Sequence, residues 1–195
     1  FSLGSIYPIV TFRYTMGLKG VAGSQFNYHR LYLRIEDNIP LNPIGYMRVD
    51  AAAFQVFNTL PYVMLEAAEA NIFYVYDWQS FNLLDRYELM ADRQARAYLT
   101  HHFNGFFLDH IPLFRRLKWR EVLTFKTVWG GLSAANKTAN RQVTFTVPAV
   151  PYMEAGAGVE NVFKFFRIDL IWRLNYHYLS SSRSFGLRAN FYFEF

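Results

Sequence analysis

Apolar and polar residues alternate with a period of two over long stretches of this chain. The clearest stretch is the last one, where an apolar side chain occupies every second position from Phe185 to Phe195. Successive side chains of a β-strand point to opposite faces, so this alternation predicts strands with one apolar and one polar face. The pattern recurs in eight segments, namely 10–16, 30–36, 46–53, 94–104, 120–129, 153–160, 166–177 and 185–195. The chain is therefore expected to be all-β and antiparallel.

Two fold classes share this alternation. In a soluble β-sandwich the apolar face packs into a core and the polar face meets water. In a membrane β-barrel the apolar face contacts lipid and the polar face lines the interior. Most of the predicted strands approach the ~9–11 residues that cross a bilayer at a tilt, and no stretch is long and apolar enough for a membrane helix.

Three further features favour the membrane barrel. Aromatic residues cluster at the ends of the predicted strands, as in interfacial girdles. Short turns near 38–43 and 163–165 alternate with long connections at 58–93 and 134–151, which is the asymmetry of a membrane barrel. Opposite charges recur on the polar face of single strands, as expected where a barrel interior pairs its charges; these pairs are Arg34/Glu36, Arg48/Asp50 and Arg167/Asp169.

The residue types give little support to catalysis or metal binding. The chain has no cysteine, which excludes disulfides, thiolate zinc sites and cysteine nucleophiles. His101 and His102 are adjacent in a predicted strand and therefore point to opposite faces, so we expect no metal site there. No nucleophile and base form a recognisable set, so we expect neither an enzyme nor a cofactor. The basic run 115–120 lacks stacking groups for nucleic acid and is expected to meet anionic lipid or a partner protein.

Two runs resemble known outer-membrane proteins. Residues 152–175, YMEAGAGVENVFKFFRIDLIWRLN, resemble the penultimate hairpin of the outer-membrane assembly (surface antigen) superfamily of sixteen-stranded barrels. Residues 81–122, FNLLDRYELMADRQARAYLTHHFNGFFLDHIPLFRRLKWREV, are similar to an uncharacterised family of Bacteroidota outer-membrane proteins. In that family a carboxypeptidase-regulatory-like domain precedes a C-terminal barrel. The resemblance covers nearly the whole chain, including YPIVTFRY near its start and NYHRLYL at 27–33.

The resemblance implies that residues 1–195 form the C-terminal eight strands of a sixteen-stranded antiparallel transmembrane β-barrel. Eight strands can also close a small barrel alone. The last strand ends on an aromatic residue, which is typical of outer-membrane barrels. Its apolar positions are Phe185, Leu187, Ala189, Phe191, Phe193 and Phe195. If this end is periplasmic, the long connections 58–93 and 134–151 are extracellular.

The function implied is transport or envelope biogenesis in the outer membrane of a Gram-negative bacterium, without catalysis by this region. The expected partners are outer-membrane lipid and other outer-membrane proteins of a complex, but not nucleic acid. One alternative is an accessory barrel subunit that docks a larger complex through 58–93. Another is a soluble β-sandwich that acts as a binding module.

The long connection 58–93 carries the most specific site prediction. By crossing order it corresponds to the superfamily's sixth extracellular loop, which folds into the barrel and carries Val-Arg-Gly-Phe/Tyr. No such tetrapeptide occurs here, and the basic substitutes are Arg86 and Arg93. We predict that one of them tethers the loop inside the barrel to Glu121 or Glu154, because a bidentate Arg–carboxylate pair shielded from water can hold a loop. The alternative is that both arginines are solvated loop charges.

Overall fold

The structure is a computed structural model that describes residues 7–21, 23–143, 145–178 and 183–191. Within these ranges the chain forms ten β-strands and only short helices. Eight of the strands make one antiparallel sheet, which confirms the predicted all-β class. They are β1 (Ile9–Gly17), β2 (Tyr28–Pro40), β3 (Tyr46–Val56), β6 (Arg93–His102), β7 (Arg120–Gly131), β8 (Tyr152–Val162), β9 (Phe166–Arg173) and β10 (Phe185–Phe191).

The sheet follows the chain in order, β1-β2-β3-β6-β7-β8-β9-β10. Each strand therefore pairs with the one before it, and the antiparallel hairpins place the long connections 57–92 and 132–151 at the same end of the sheet. The turns 41–45 and 163–165 and the connection 103–119 lie at the opposite end. In the described residues β1 and β10 are the two edges of the sheet, which is open.

The connections carry the remaining elements. β4 (Glu66–Ala67) and β5 (Met90–Ala91) pair within the segment between β3 and β6, which also contains a 3₁₀ turn, Tyr62–Met64. A 3₁₀ turn (Leu108–His110) and helix α1 (Pro112–Leu117) follow β6, and helix α2 (Ala134–Ala139) follows β7. None of the helices in the described residues is long and apolar enough to span a membrane.

Strand β9 is shorter than predicted. β9 ends at Arg173 rather than at 177. The reason is local: Asn175 uses its side chain to bond the backbone of Met153 and Pro151, and Tyr176 adopts a positive φ of 60°. Extended backbone cannot continue through that conformation. The predicted apolar positions Phe193 and Phe195 lie outside the described residues.

The hydrophobic core lies between the sheet and the segment 57–92, which we call the covering segment. Phe81, from this segment, is fully buried and packs edge-on against Tyr98 of β6 and Tyr152 of β8. Leu84 and Leu89 belong to the same cluster. The core is thus built from a connection packed onto one face of a sheet.

Candidate functional site

The covering segment packs on the polar face of the sheet and leaves the apolar face bare. Along β9 the buried residues are Arg167, Asp169, Ile171 and Arg173, and the three residues between them are exposed. Many large apolar side chains of the other face stay exposed, at 49% for Leu123. Others are Phe12, Tyr14, Leu33, Ile35, Trp129, Ile168, Leu170, Trp172, Phe185, Leu187 and Phe191. The arrangement is the reverse of a soluble sandwich, in which the apolar face is buried.

Glu154 of β8 is the main acceptor for the covering segment. Its carboxylate accepts backbone N–H bonds from Asn82 at 3.0 Å and Leu83 at 2.8 Å, and it accepts the Tyr152 hydroxyl at 2.6 Å. The residue is only 1% exposed. Hydrogen bonds to a charged acceptor in a dry environment are among the stronger ones in proteins. Glu154 therefore fixes the backbone of Asn82 and Leu83 in the covering segment to β8.

Lys126 of β7 binds the same part of the segment with the opposite charge. Its ammonium donates to the carbonyl oxygens of Asp77 and Ser80, each at 2.6 Å. The ammonium also lies 4.8 Å from the centre of the Tyr76 ring. Neighbouring strands thus present one cation to carbonyl groups and one anion to N–H groups. Together they satisfy backbone that has no strand partner of its own.

Arginines of the strands hold the flanks of the covering segment. Arg173 of β9 pairs with Glu88 at 2.5 Å and also donates to the carbonyl of Leu83 at 3.3 Å. Arg96 of β6 pairs with Glu69 at 2.7 Å. The remaining contacts of this kind are Arg188 to the Asn82 carbonyl and Arg30 to Glu66. The segment is tethered by arginine–carboxylate pairs whose arginines belong to the sheet.

The predicted tether therefore requires correction. Within the described residues neither Arg86 nor Arg93 forms an ion pair, with Glu121 or Glu154 or with any other carboxylate. Both arginines are exposed, and Arg93 begins β6 at the end of the sheet where the long connections lie. Glu121 instead accepts the backbone N–H groups of Phe107 and Leu108, next to the opposite end. Glu154 does hold the segment, but through backbone donors.

The charge pairs predicted within single strands are confirmed in two cases. Arg34 pairs with Glu36 at 3.0 Å and more closely with Asp50 of the next strand at 2.6 Å. Arg167 and Asp169 form two bonds of 2.7 and 2.8 Å. The pairing of Arg48 with Asp50 is wrong because Arg34 occupies that carboxylate. Arg48 instead lies over the ring of Trp78, 5.0 Å from its centre.

Two glycines of β8, Gly156 and Gly158, relieve crowding on the polar face. A Cβ atom at Gly156 would lie 2.4 Å from the Thr124 hydroxyl, and one at Gly158 would lie 2.5 Å from a carboxylate oxygen of Asp169. Gly186 of β10 makes room for the covering segment itself, since its Cβ would lie 2.7 Å from Leu83. Small residues thus let the charged network and the segment share one face.

Burial also perturbs titration inside the covering segment. Desolvation raises the pKa of Tyr76 to about 12, so this ring stays neutral beside its cations. Desolvation likewise raises the pKa of the Glu69 carboxyl, and the nearby Arg96 opposes that shift. In the described residues no group of three or more histidine or acidic side chains is placed to hold a metal ion. His102 instead contacts Glu160 at 3.0 Å.

Two features of the covered face had a signal in the sequence. Ile171 is an apolar residue on an otherwise polar face, and it is buried against Tyr76 and Leu83 of the segment. Tyr98 and Tyr152 likewise stand on polar faces and contact the segment. Apolar side chains on a polar face marked the surface that the segment covers.

Residues 1–133 match the model of a family of unknown function (DUF5686), C-terminal domain. The match spans more than half of the chain and includes the central run 81–122, so the resemblance to an uncharacterised family is confirmed at that level. The hairpin 152–175 lies outside the matched residues. No curated protein and no solved structure matches the chain. The chain belongs to the DUF5686 C-terminal domain family.

Proposed function

We propose that this member of the family forms part of the wall of an outer-membrane β-barrel. Its apolar face contacts lipid, its polar face lines the interior, and the covering segment plugs that interior. The observation that carries the proposal is the pairing of a bare apolar strand face with a buried, charged one. We place the protein in the outer membrane of a Gram-negative bacterium, in transport or envelope biogenesis, with the rest of the barrel supplied by further strands.

The energetics of the two faces support a membrane environment. Soluble monomers rarely expose large contiguous apolar patches, because each square ångström of apolar surface in water costs about 25 cal/mol. Here the exposed face of β9 and β10 carries Ile168, Leu170, Trp172, Phe185 and Leu187 next to one another. A lipid bilayer removes that cost, while the charged face keeps its bonds to the covering segment.

The use of the polar groups supports a non-catalytic role. Glu154, Lys126 and Arg173 all bind the covering segment. These three side chains hold the covering segment against the sheet. Passage through the interior requires the covering segment to move, so transport or protein insertion by this barrel is coupled to release of these contacts. We also propose that the protein comes from the Bacteroidota and carries a carboxypeptidase-regulatory-like domain before the barrel.

A matched pair of substitutions tests the lipid-facing assignment. Leu170 lies on the apolar face of β9, and Thr11 lies on the polar face of β1, away from the covering segment. We expect Leu170→Arg to destabilise the protein folded in phosphatidylcholine bilayers by about 2–4 kcal/mol, and Thr11→Arg to destabilise it much less. Urea titration in vesicles measures both. Equal losses, or folding of the wild type without any bilayer, would contradict the proposal.

A further inference from the structure

A row of arginines stands on the polar face of β1, β2 and β6. Residues directly opposite one another in an antiparallel pair share a face of the sheet. Arg13 lies opposite Tyr32, and Arg34 lies opposite Ala52, which in turn lies opposite Arg96. Tyr32 and Arg34 alternate along β2 with a period of two, so they point the same way. The arginines that share this face are Arg13, Arg30, Arg34 and Arg96.

A cavity of about 250 Å³ lies between these strands and the covering segment. From the strands it is lined by Arg13, Thr15, Tyr28, Arg30, Tyr32 and Arg96, and from the segment by Glu66 and Glu69. A second cavity, of about 410 Å³, shares Tyr32, Glu69 and Arg96 with the first and continues along the segment toward Ser80. In the smaller cavity the positive groups belong to the strands and the negative groups belong to the segment.

The covering segment places one carboxylate on each of two arginines of the smaller cavity. Glu66 pairs with Arg30, and Glu69 pairs with Arg96 at 2.7 Å. The pairs keep contact with solvent, since the side chains of Arg30 and Glu69 are 34% and 43% exposed. Pairs that water and dissolved ions can reach are weak. A dissolved anion can therefore compete for these arginines.

The arginines offer more than the two carboxylates use. The Nε atom of Arg96 is buried and has no hydrogen-bond partner among the described residues. Arg13 forms no ion pair with a described carboxylate, and its guanidinium lies 5.8 Å from the centre of the Tyr32 ring. A guanidinium has five N–H donors in a fork that matches a carboxylate. The smaller cavity thus has three arginines against two carboxylates.

We propose that Glu66 and Glu69 occupy a site that also binds an organic dicarboxylate. The two carboxylates of the solute replace those of Glu66 and Glu69 on Arg30 and Arg96, and Arg13 adds a third positive charge. Binding thereby releases one flank of the covering segment from the strands. The inference rests on the proposed function, because it names the class of solute that the barrel carries and the contacts that this solute opens.

Equilibrium binding of radiolabelled succinate tests the inference. The protein is reconstituted in phosphatidylcholine vesicles, and the wild type is compared with the double variant Glu66→Gln, Glu69→Gln. We expect the double variant to bind succinate about fivefold more tightly, because the site no longer holds carboxylates of its own and two exposed ion pairs no longer compete. Unlabelled succinate should displace the label, whereas acetate should displace it only weakly and the neutral succinamide not at all.

Further variants locate the site. In the Glu66→Gln, Glu69→Gln background, Arg30→Gln with Arg96→Gln should weaken succinate binding at least about tenfold, since each arginine loses a charge-assisted contact. The matched control is Arg48→Gln, on the polar face of β3 but outside the lining of both cavities. It should retain the affinity.

Hydrogen exchange reports the release of the segment. The Ala68 amide lies between the two glutamates in the chain and donates to the carbonyl of Leu89 at 2.8 Å. In the wild type, saturating succinate should accelerate exchange at Ala68, and succinamide should not.

The outcomes separate the inference from the proposed function. Binding that is no tighter without Glu66 and Glu69, or that survives loss of Arg30 and Arg96, would overturn the dicarboxylate site. Displacement by acetate as readily as by succinate, or unchanged exchange at Ala68, would also overturn it. Quenching of the outward-facing Trp172 by brominated phosphatidylcholine, taken as the difference from Trp172→Phe, is measured in the same vesicles. If it is absent, the chain is not embedded and the proposed function fails; if it is present, a negative succinate result concerns the inference alone.

Discussion

The first two strands and the middle strands of this sheet have the same sequence pattern but different environments. β1 has no buried residue in its burial pattern, and its Arg13 is exposed. In β7 every second residue from Val122 to Val128 is buried, including Lys126. The covering segment lies over the middle strands and reaches β2 mainly through the pair of Arg30 with Glu66. The alternation therefore sets which face is polar, and the segment decides which part of that face is dry.

This difference predicts where charges matter. Exposed ion pairs are worth little because water screens them and side-chain ordering opposes them. Buried pairs are costly to break, because the remaining partner is left without compensation. Substitutions on the covered strands should therefore detach the segment, whereas equivalent ones on β1 and β2 should have small effects.

The largest effect is expected at Glu154. Replacing it by leucine removes the acceptor for two backbone N–H groups and also removes one of the anions close to the buried ammonium of Lys126. We expect Glu154→Leu to lower the free energy of detaching the covering segment by about 3–5 kcal/mol. Hydrogen exchange at the amides of Asn82 and Leu83 measures this value directly.

The matched control is Glu36→Leu on β2, where the carboxylate is partly exposed and, among the described residues, forms its ion pair with Arg34. It should leave exchange at Asn82 and Leu83 nearly unchanged. Comparable acceleration by both variants would show that the segment depends on the total charge of the sheet rather than on the covered strands.

A smaller effect should distinguish two ion pairs of the segment. The side chains of Arg173 and Glu88 are 0% and 7% exposed, whereas those of Arg30 and Glu66 are 34% and 19% exposed. Double-mutant cycles should give a coupling of about 2 kcal/mol for the first pair and below about 1 kcal/mol for the second. Alanine variants and their doubles, followed by exchange in the segment, supply both cycles. A stronger coupling in the more exposed pair would contradict the account.

The smallest effect concerns pH at Glu69. Burial raises the pKa of its carboxyl in the folded state, so the attached segment binds this proton more tightly than the detached one. The stabilisation of the attached segment by the protonated Glu69 carboxyl is therefore fully present below the ordinary glutamate pKa. It is lost as pH rises through the raised pKa of the folded state. The effect is modest because the side chain is 43% exposed. Exchange at Phe81, whose N–H bonds the Glu69 carbonyl, should show this dependence in the wild type but not in Glu69→Gln.

The strands were predictable from sequence because alternation is a local property. The eight predicted segments correspond to the eight strands of the sheet, with shifts mainly at their ends. The helices α1 and α2 were not predicted, since six residues are too few for a clear helical period. The exposed apolar face could be predicted without knowing which residues meet across the sheet, because each strand carries its own outward-facing residues.

The contacts of the covering segment were harder to predict because they join residues far apart in the chain. Glu154 was identified as an acceptor, but its donors are the backbone of Asn82 and Leu83, and backbone groups carry no sequence signature. The strand arginines that hold the segment, such as Arg173, occupy ordinary polar positions in the alternation. Apolar side chains on otherwise polar faces, namely Tyr98, Tyr152 and Ile171, were the sequence features that indicated which strands the segment covers.

The most direct test of the central claim uses spin labels along β9. The chain has no cysteine, so single cysteines at each position from 166 to 173 give unique labels. In bilayers, we expect collisions with oxygen, which concentrates in lipid, to be frequent at Ile168, Leu170 and Trp172. Labels at Asp169 and Ile171 should be shielded from both oxygen and a water-soluble nickel chelate, because the covering segment lies over them. Frequent collisions of the chelate at 168, 170 and 172, or no alternation at all, would contradict the account.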